Sequence, residues 1–168
     1  MMISRSVLPA SLAIALVATP VLADECRQAH AIYGDADGGY ELRFEPVGSE
    51  SAATSNHFKV SVEKSGLLLD GVVLWSGEPE RSNGIVMHNC PTGDVTGEEL
   101  RACTVWEGVI YAADKAGGIG LLQAEDAPAA EQILLPGFGP ALTESSAWGK
   151  GKASVDSSDV FKFKGCAA

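Results

Sequence analysis

The sequence predicts a mainly β protein, a single antiparallel β-sandwich or open β-barrel domain with one or two short helices. Three segments alternate apolar and polar residues with a period of two, which is typical of strands that bury one face. They are residues 40–45, 58–63 and 160–164. Helix signals are scarce, and turn-forming Gly and Pro residues occur throughout the chain. Strands of this kind, joined by short turns, favour one antiparallel domain.

Longer apolar segments predict further strands. Residues 102–113 combine β-branched and aromatic side chains, and Gly108 within them indicates a bulge or a kink. Asp70-Gly71 lies between two apolar runs, and this dipeptide is typical of a tight β-hairpin turn. We therefore expect the chain to reverse at Asp70 and Gly71.

Two short helices are expected. Thr96 followed by Glu99 matches a capping box, so one or two helical turns should begin there and end near Cys103. Residues 126–135 form the second candidate, with a proline in the first turn and another just beyond the end. A strand at residues 133–135 is the open alternative. The Pro- and Gly-rich stretch that follows predicts a connector.

Residues 1–23 predict a cleaved secretory signal peptide. Arg5 supplies the positive start, residues 7–21 form an apolar run, and small residues close it at Ala23. An uncleaved anchor is the disfavoured alternative because a bilayer span needs about 20 apolar residues. Cleavage leaves residues 24–168 as one disulfide-braced domain with no membrane insertion. We expect a periplasmic or extracellular protein, and we favour a bacterial envelope.

All four cysteines lie in the predicted mature chain. They are Cys26, Cys90, Cys103 and Cys166. Disulfides persist in the compartments that a signal peptide leads to, and four cysteines allow three pairings. The simplest scheme joins Cys90 to Cys103, which are close in sequence, and Cys26 to Cys166, which lie near the two ends.

A copper site is the alternative interpretation of the residues around Cys90. Thioether, imidazole and thiolate ligands together suit copper, and Met87, His88 and Cys90 supply them. Neighbouring residues on a strand point to opposite faces, however, so Met87 and His88 do not reach one ion. The thiols would also have to remain reduced in an oxidising compartment. We therefore predict no metal there and no cofactor.

The charge balance excludes some partners and favours others. The chain has 12 Lys and Arg against 22 Asp and Glu. Because the leader removes only Arg5, 11 basic residues face 22 acidic ones in the mature chain, a formal net charge of −11. Nucleic acid is therefore a poor partner. Such a surface keeps a protein soluble, and it also attracts a cationic protein.

Asp35 and Asp37 precede a glycine and resemble the start of a calcium loop. Two carboxylates at this spacing can contact a hard cation, but the further ligands of a calcium loop are absent from the sequence. A turn explains the same residues, because Asp and Gly favour turn conformations. We take the turn as the better interpretation of these two positions.

Candidate contact and catalytic residues are few. His57 opens a strand beside a polar loop, where it is either a solvated side chain or an exposed base. Trp148 stands in a Gly- and Lys-rich loop with Lys150 and Lys152. Packing as a loop anchor is the favoured interpretation of Trp148. The alternative is an exposed Trp beside two cations, which suits contact with a partner protein or a carbohydrate.

Two classes of function follow. The first is an exported, non-enzymatic β module that binds a protein or another envelope component. The second is a small exported hydrolase assembled from residues that are scattered in sequence, with His57, His88 and acidic side chains as its available groups. The sequence contains no Gly-x-Ser-x-Gly motif and no phosphate-binding glycine loop. The binding module is therefore the favoured class.

Overall fold

The computed structural model describes residues 26–48 and 53–167. In this part of the chain, ten strands form one antiparallel sheet that nearly closes into a barrel. The strands are β1 (Ala31–Gly34), β2 (Tyr40–Glu45), β3 (Thr54–Val62), β4 (Leu67–Ser76), β5 (Arg81–Met87), β6 (Thr104–Val109), β7 (Tyr111–Ala113), β8 (Ile119–Leu121), β9 (Gln132–Leu134) and β10 (Val160–Cys166). The helices are α1 (Gly97–Cys103) and α2 (Phe138–Glu144). The predicted fold class is confirmed, and the arrangement is a nearly closed barrel.

One bent segment, made of β6 and β7, connects the two ends of the strand order and so nearly closes the sheet. The order is β6-β5-β4-β3-β2-β1-β10-β9-β7-β8, and Ile110 alone separates β6 from β7. β6 pairs with β5 while β7 pairs with β9, so the two halves of this strand join opposite sides of the sheet. Ser82 Oγ donates to the Ile110 carbonyl at 2.7 Å, and the Ile110 amide donates to the Ser82 carbonyl at 2.9 Å. These bonds continue the pairing across the bend.

The bend does not lie at Gly108, where the sequence predicted it. Gly108 pairs regularly with Gly84 on β5. A Cβ at Gly108 would come within 2.7 Å of the Trp106 ring. The glycine therefore makes room for the indole, and the strand bends two residues later.

Side chains fill the inside of the barrel. Alternate residues of the long strands are buried, and on β3 they are Asn56, Phe58, Val60 and Val62. The period-two pattern predicted this inward face. The fully buried aromatic residues are Tyr33, Tyr40, Phe44, Phe58, Phe138 and Phe161. Burial raises the pKa of the Tyr33 hydroxyl, which donates to Gln28 Oε1 at 3.0 Å.

The two ends of the barrel differ. Four connections meet at one of them, which we call the helical end: residues 35–39, 63–66, 88–103 and 135–159. Both helices belong to this end. At the opposite end, which we call the terminal end, β1 begins beside the last residue of β10. Loops at a barrel end are the usual place for function, because the strands hold them in position.

The disulfide scheme predicted from spacing is present. Cys26 bonds to Cys166 at the terminal end, and Cys90 bonds to Cys103 at the helical end. Two disulfides indicate an oxidising, non-cytoplasmic environment. The predicted signal peptide, residues 1–23, lies outside the described residues. Nowhere in the described part of the chain is a helix long and apolar enough to cross a bilayer.

The hairpin predicted at Asp70 and Gly71 is wrong, because β4 runs through both residues without a turn. Gly71 faces inward beneath the Phe58 ring, and a Cβ there would come within 2.3 Å of that ring. The glycine thus permits a close approach inside the barrel and is not required by a turn. Asp70 points outward, where its carboxylate accepts a hydrogen bond from Lys59.

The helices only partly match expectation. α1 carries the predicted capping box: Thr96 Oγ1 accepts from the Glu99 amide at 3.3 Å, and Glu99 Oε2 accepts from the Thr96 amide at 2.9 Å. The helix predicted at residues 126–135 is wrong, because these residues include strand β9 and no helix. α2 instead begins within the Pro- and Gly-rich connector. The Asp159 carboxylate accepts a hydrogen bond from the Gly137 amide at 2.8 Å and so replaces a local cap.

An ion pair on the barrel wall gives the first prediction. Glu41 accepts hydrogen bonds from Lys164 at 2.6 Å and Arg43 at 3.2 Å, and the Lys164 bond is the largest cause of its lowered pKa. Replacing Lys164 by Gln should move the Glu41 pKa up towards its usual value, as a ¹³C NMR titration would measure. Folding lowers the pKa of Glu41, so its ion pair stabilises the folded protein at pH values above the Glu41 pKa of the unfolded chain. This contribution is lost as the pH falls through the lower Glu41 pKa of the folded protein.

The variant should therefore be less stable than the parent near pH 7, and the deficit should be smaller near about pH 3, below the ordinary Glu pKa. Lys164 is half exposed, so the deficit near pH 7 should stay below about 1 kcal/mol. Urea unfolding at the two pH values measures it. The aliphatic part of Lys164 also packs over Gly34, since a Cβ at Gly34 would come within 2.7 Å of it. A stability deficit of the same size at both pH values would mean that Lys164 acts through this packing and not through its charge.

Candidate functional site

A groove opens at the helical end between the α1 connection and the segment that follows α2. Its volume is about 370 Å³. His88, Asn89 and Glu99 line one side, and Ser146 and Lys152 line the other. Of the cavities described here, it brings the greatest variety of polar side chains together beside a disulfide. We therefore treat it as the candidate functional site.

The α1 side of the groove is held in place by three local features. The His88 amide donates to the Cys103 carbonyl at 2.9 Å, so His88 extends the pairing beyond β5. Asn89 has a φ of 54°, a left-handed conformation that Asn adopts more readily than most residues. The chain then turns into Cys90, which the disulfide joins to Cys103 at the end of α1. Together these features fix the backbone from which the His88 side chain projects.

Ser146 and Lys152 form the other side. Ser146 Oγ lies 3.5 Å from His88 Nδ1, and Lys152 Nζ donates to the Ser146 carbonyl at 2.6 Å. The sequence singled out Lys152 and His88 but not Ser146. Ser146 follows α2 and lies 58 residues from His88, so no local spacing could have indicated this pair.

Glu99 contributes a fixed negative charge at the edge of the groove. Hydrogen bonds from the Thr96 amide and the Thr96 hydroxyl lower the pKa of its carboxyl. The carboxylate therefore stays ionised through the neutral range. Because the capping box holds the Glu99 carboxylate in one orientation, its negative charge has a fixed position at the edge of the groove.

Trp148 behaves as the loop anchor that the sequence favoured. Its side chain is half-buried and packs against the core. The loop closes around it, because the Gly149 amide donates to the Ala153 carbonyl at 2.8 Å and the Ala153 amide donates to the Ala147 carbonyl at 3.0 Å. Lys150 projects from this loop and is exposed. Trp148 thus anchors the loop that carries Lys150 and Lys152, and little of its own side chain is available for contact with a partner.

His57 lies apart from these residues. It is on the outer wall of β3, where it pairs with Glu45, the last residue of β2, near the terminal end. Its Nδ1 lies 3.5 Å from Glu45 Oε2. The structure thus does not bring the two candidate bases, His57 and His88, together.

Asp35 and Asp37 occupy the turn between β1 and β2. Asp35 Oδ1 accepts from the Tyr40 amide at 3.1 Å, and the Asp35 amide donates to the Tyr40 carbonyl at 3.1 Å. Asp37 is exposed. The geometry supports the turn interpretation. Over residues 26–48 and 53–167, no three acidic, His or Cys side chains are grouped so as to hold a metal ion.

A larger groove, of about 510 Å³, lies between the β7–β8 hairpin and residues 128–131. Seven of its thirteen lining residues are alanine or glycine. Its charged groups are already engaged: Asp114 Oδ1 accepts from the Gly118 amide at 2.8 Å, and Lys115 Nζ lies 3.9 Å from Glu131 Oε1. Little remains to select a ligand, so we do not assign function to this groove.

The fold and the groove define a disulfide-braced antiparallel β-barrel with a polar groove at one end. Comparison of the chain with protein-family models, with curated proteins and with solved structures finds no match. A fold alone does not determine a function, so the groove and the charges around it define what the protein can bind.

Proposed function

We propose that this protein is an exported, non-enzymatic binding module that holds a cationic protein at its helical end. The observation that carries the proposal is the acidic surplus on the connections that meet there, with nine acidic and four basic side chains. The acidic ones are Asp35, Asp37, Glu63, Asp94, Glu98, Glu99, Glu144, Asp156 and Asp159, and the basic ones are Lys64, Arg101, Lys150 and Lys152. A local net charge of −5 attracts and orients a basic partner.

Rigidity supports the same proposal. The Cys90–Cys103 disulfide fixes the α1 connection, and the Trp148 anchor fixes the segment opposite. Preformed loops bind more tightly because little conformational freedom is lost on association. Three of the acidic residues, Asp94, Glu98 and Glu99, lie on the braced α1 connection and its helix. We therefore propose that the partner contacts the α1 side of the groove first.

The test is affinity capture of basic secreted and envelope proteins at about 0.15 M and about 1 M salt. The partner should be held at the lower salt and released at the higher. The double change Asp94→Asn and Glu98→Gln should weaken its affinity by about two- to thirty-fold, as expected for two exposed charges. The matched control is Glu80→Gln with Asp126→Asn, which removes two exposed acids elsewhere and should leave affinity unchanged. Retention that is equal at both salts would argue against electrostatic capture.

A hydrolase is the second candidate, and the contact between Ser146 and His88 is the observation that favours it. A nucleophilic Ser requires a base within about 2.6–3.2 Å and a third group that orients the base. The separation here is 3.5 Å. No carboxylate of the described residues is hydrogen-bonded to the His88 ring. Turnover of an ester, glycoside or peptide panel that is lost in both Ser146→Ala and His88→Ala would replace the binding proposal with this one.

A further inference from the structure

The α1 connection, residues 88–103, borders the groove but has little packing of its own. From Pro91 onward every residue is exposed except Val95, which is half-buried, and Cys103, which is buried. Cys103 is thus the one buried residue of α1, although the packing of a buried face supplies most of the stability of helices in proteins. A helix of seven residues is also too short to be stable by itself in water. The order of α1 therefore depends on how its connection is attached.

Few hydrogen bonds attach the connection to the barrel. The His88 amide donates to the Cys103 carbonyl, where the pairing of β5 with β6 ends. In the part of the chain that the structure describes, hydrogen bonds from residues 89–102 reach no part of the barrel beyond Thr104, which directly follows α1. No ion pair among the described residues involves this segment. The disulfide between Cys90 and Cys103 is thus the strongest tie that spans the connection.

The terminal disulfide, between Cys26 and Cys166, has no comparable role. Beside it, the Ala167 amide donates to the His30 carbonyl at 2.7 Å. The Ala129 amide donates to the Cys26 carbonyl at 2.8 Å. Hydrogen bonds therefore still hold both of these segments when the terminal bond is open. The disulfide beside the groove differs, because it orders a segment that has few other contacts.

From this difference we propose that the disulfide of the α1 connection is a redox-sensitive switch for the binding site. Reduction frees residues 89–102 while the barrel stays folded, and it thereby weakens the hold on a cationic partner. This regulation rests on the proposed function, because Asp94, Glu98 and Glu99 lie on the segment that is freed. A partner that binds the freed segment must order it again, and this ordering costs affinity.

The switch operates by thiol–disulfide exchange with a dithiol reductant. Cys103 lines the groove, and Cys90, which is half-buried, is the more exposed of the two. One thiolate of the reductant attacks Cys90 Sγ, the disulfide breaks, and Cys103 leaves as a thiolate that takes up a proton. The second thiol of the reductant then attacks the mixed disulfide and releases Cys90. Two electrons and two protons thus pass to the cysteines, which become thiols, while the reductant becomes a disulfide.

Two double variants separate the disulfides without changing the net charge. Cys26→Ala with Cys166→Ala keeps only the bond beside the groove, so it is released only on reduction. Cys90→Ala with Cys103→Ala keeps only the terminal bond, so it is a permanently released form. The first variant, when oxidised, is the matched control for the second, because both lack two cysteines.

NMR of the ¹⁵N-labelled parent and variants tests the release. In the permanently released variant, the amides of residues 89–102 should shift to random-coil values while those of the strands keep their shifts. Trypsin should cut after Arg101 about tenfold faster or more, because cleavage follows the population of the open segment. Dithiothreitol should produce the same changes in the variant that keeps the bond beside the groove. Alkylation and mass measurement verify that this bond is reduced.

Two results would overturn the release. If residues 89–102 keep their oxidised shifts in both released forms, the connection orders itself without the disulfide. If the permanently released variant loses its strand signals, the bond stabilises the whole barrel and not one connection. This variant retains the terminal bond, so it decides the question even where the fully reduced protein unfolds.

Titration with a decalysine peptide at about 0.15 M salt tests the effect on binding. The parent and the oxidised variant that keeps the bond beside the groove should bind alike. The permanently released variant has the same net charge and should bind about three- to tenfold more weakly. Equal affinity in all three would overturn the switch and leave the proposed function standing. If decalysine binds none of them, the acidic site fails, and the proposed function and its regulation fail together.

Discussion

Replacing Phe138 by Ala is expected to lower the free energy of unfolding by about 3 to 5 kcal/mol, the loss typical of emptying a buried aromatic site. Phe138 is fully buried at the start of α2. Its ring packs edge-to-face against Tyr40, Trp106 and Phe161, with centroids 6.4, 6.5 and 6.1 Å away. These three residues belong to β2, β6 and β10. One side chain therefore fastens α2 to three strands of the barrel.

Urea or guanidinium unfolding measures the loss. Glu144→Ala is the matched control, because Glu144 is exposed at the other end of α2 and should change stability by less than about 0.5 kcal/mol. If Phe138→Ala does not fold, Phe138→Leu keeps part of the packing and should show a smaller loss. A loss below about 1 kcal/mol for Phe138→Ala would mean that the neighbouring rings collapse into the space.

Removing the terminal disulfide should cost more than removing the internal one. The chain-entropy model assigns about 5 kcal/mol to a bond that closes 140 residues and about 3 kcal/mol to one that closes 13. The two double variants are Cys26→Ala with Cys166→Ala, and Cys90→Ala with Cys103→Ala. Each variant serves as the control for the other, because both lose two cysteines.

Chemical unfolding of the two variants under the same conditions gives the comparison. The order should persist even if both losses are smaller than the model predicts. An equal or larger loss for the Cys90–Cys103 variant would show that local packing of the α1 connection outweighs loop length. In that case the brace around the groove would contribute more to stability than the bond that ties the ends.

Local patterns carried most of the successful predictions. The alternation at residues 40–45 and 160–164 fell on β2 and β10, and the capping box at Thr96 fell on α1. Cysteine spacing and the predicted compartment gave both disulfides. These signals succeed because each depends on a few neighbouring residues or on a simple rule about redox conditions.

The failures involve residues whose role is set by distant parts of the chain. Gly71 resembles a hairpin glycine, but the Phe58 ring above it explains its presence. α2 lacks a local cap, because Asp159 supplies the acceptor from the other end of the connection. The bend at Ile110 depends on its pairing with Ser82, 28 residues earlier. Sequence patterns do not encode such contacts.

The candidate site was only partly predictable for the same reason. The sequence indicated His88 as a possible copper ligand or catalytic group and Lys152 as a possible contact residue, but it did not indicate that they share a groove. The role of Asp35 is also invisible in the sequence, since a turn and a calcium loop use the same residue types. Only the folded turn shows that Asp35 Oδ1 accepts the Tyr40 amide.

The bond between Cys26 and Cys166 has a consequence for proteolysis. β1 and β10 are already neighbours, and their outer ends, at Ala31 and Cys166, face each other in the sheet. With the disulfide, the backbone from Cys26 to Cys166 is a closed covalent circle of almost the whole described chain. A single protease cut in an exposed turn, such as residues 77–80, opens this circle but releases no fragment. At least two cuts are needed before a fragment can separate from the rest of the chain.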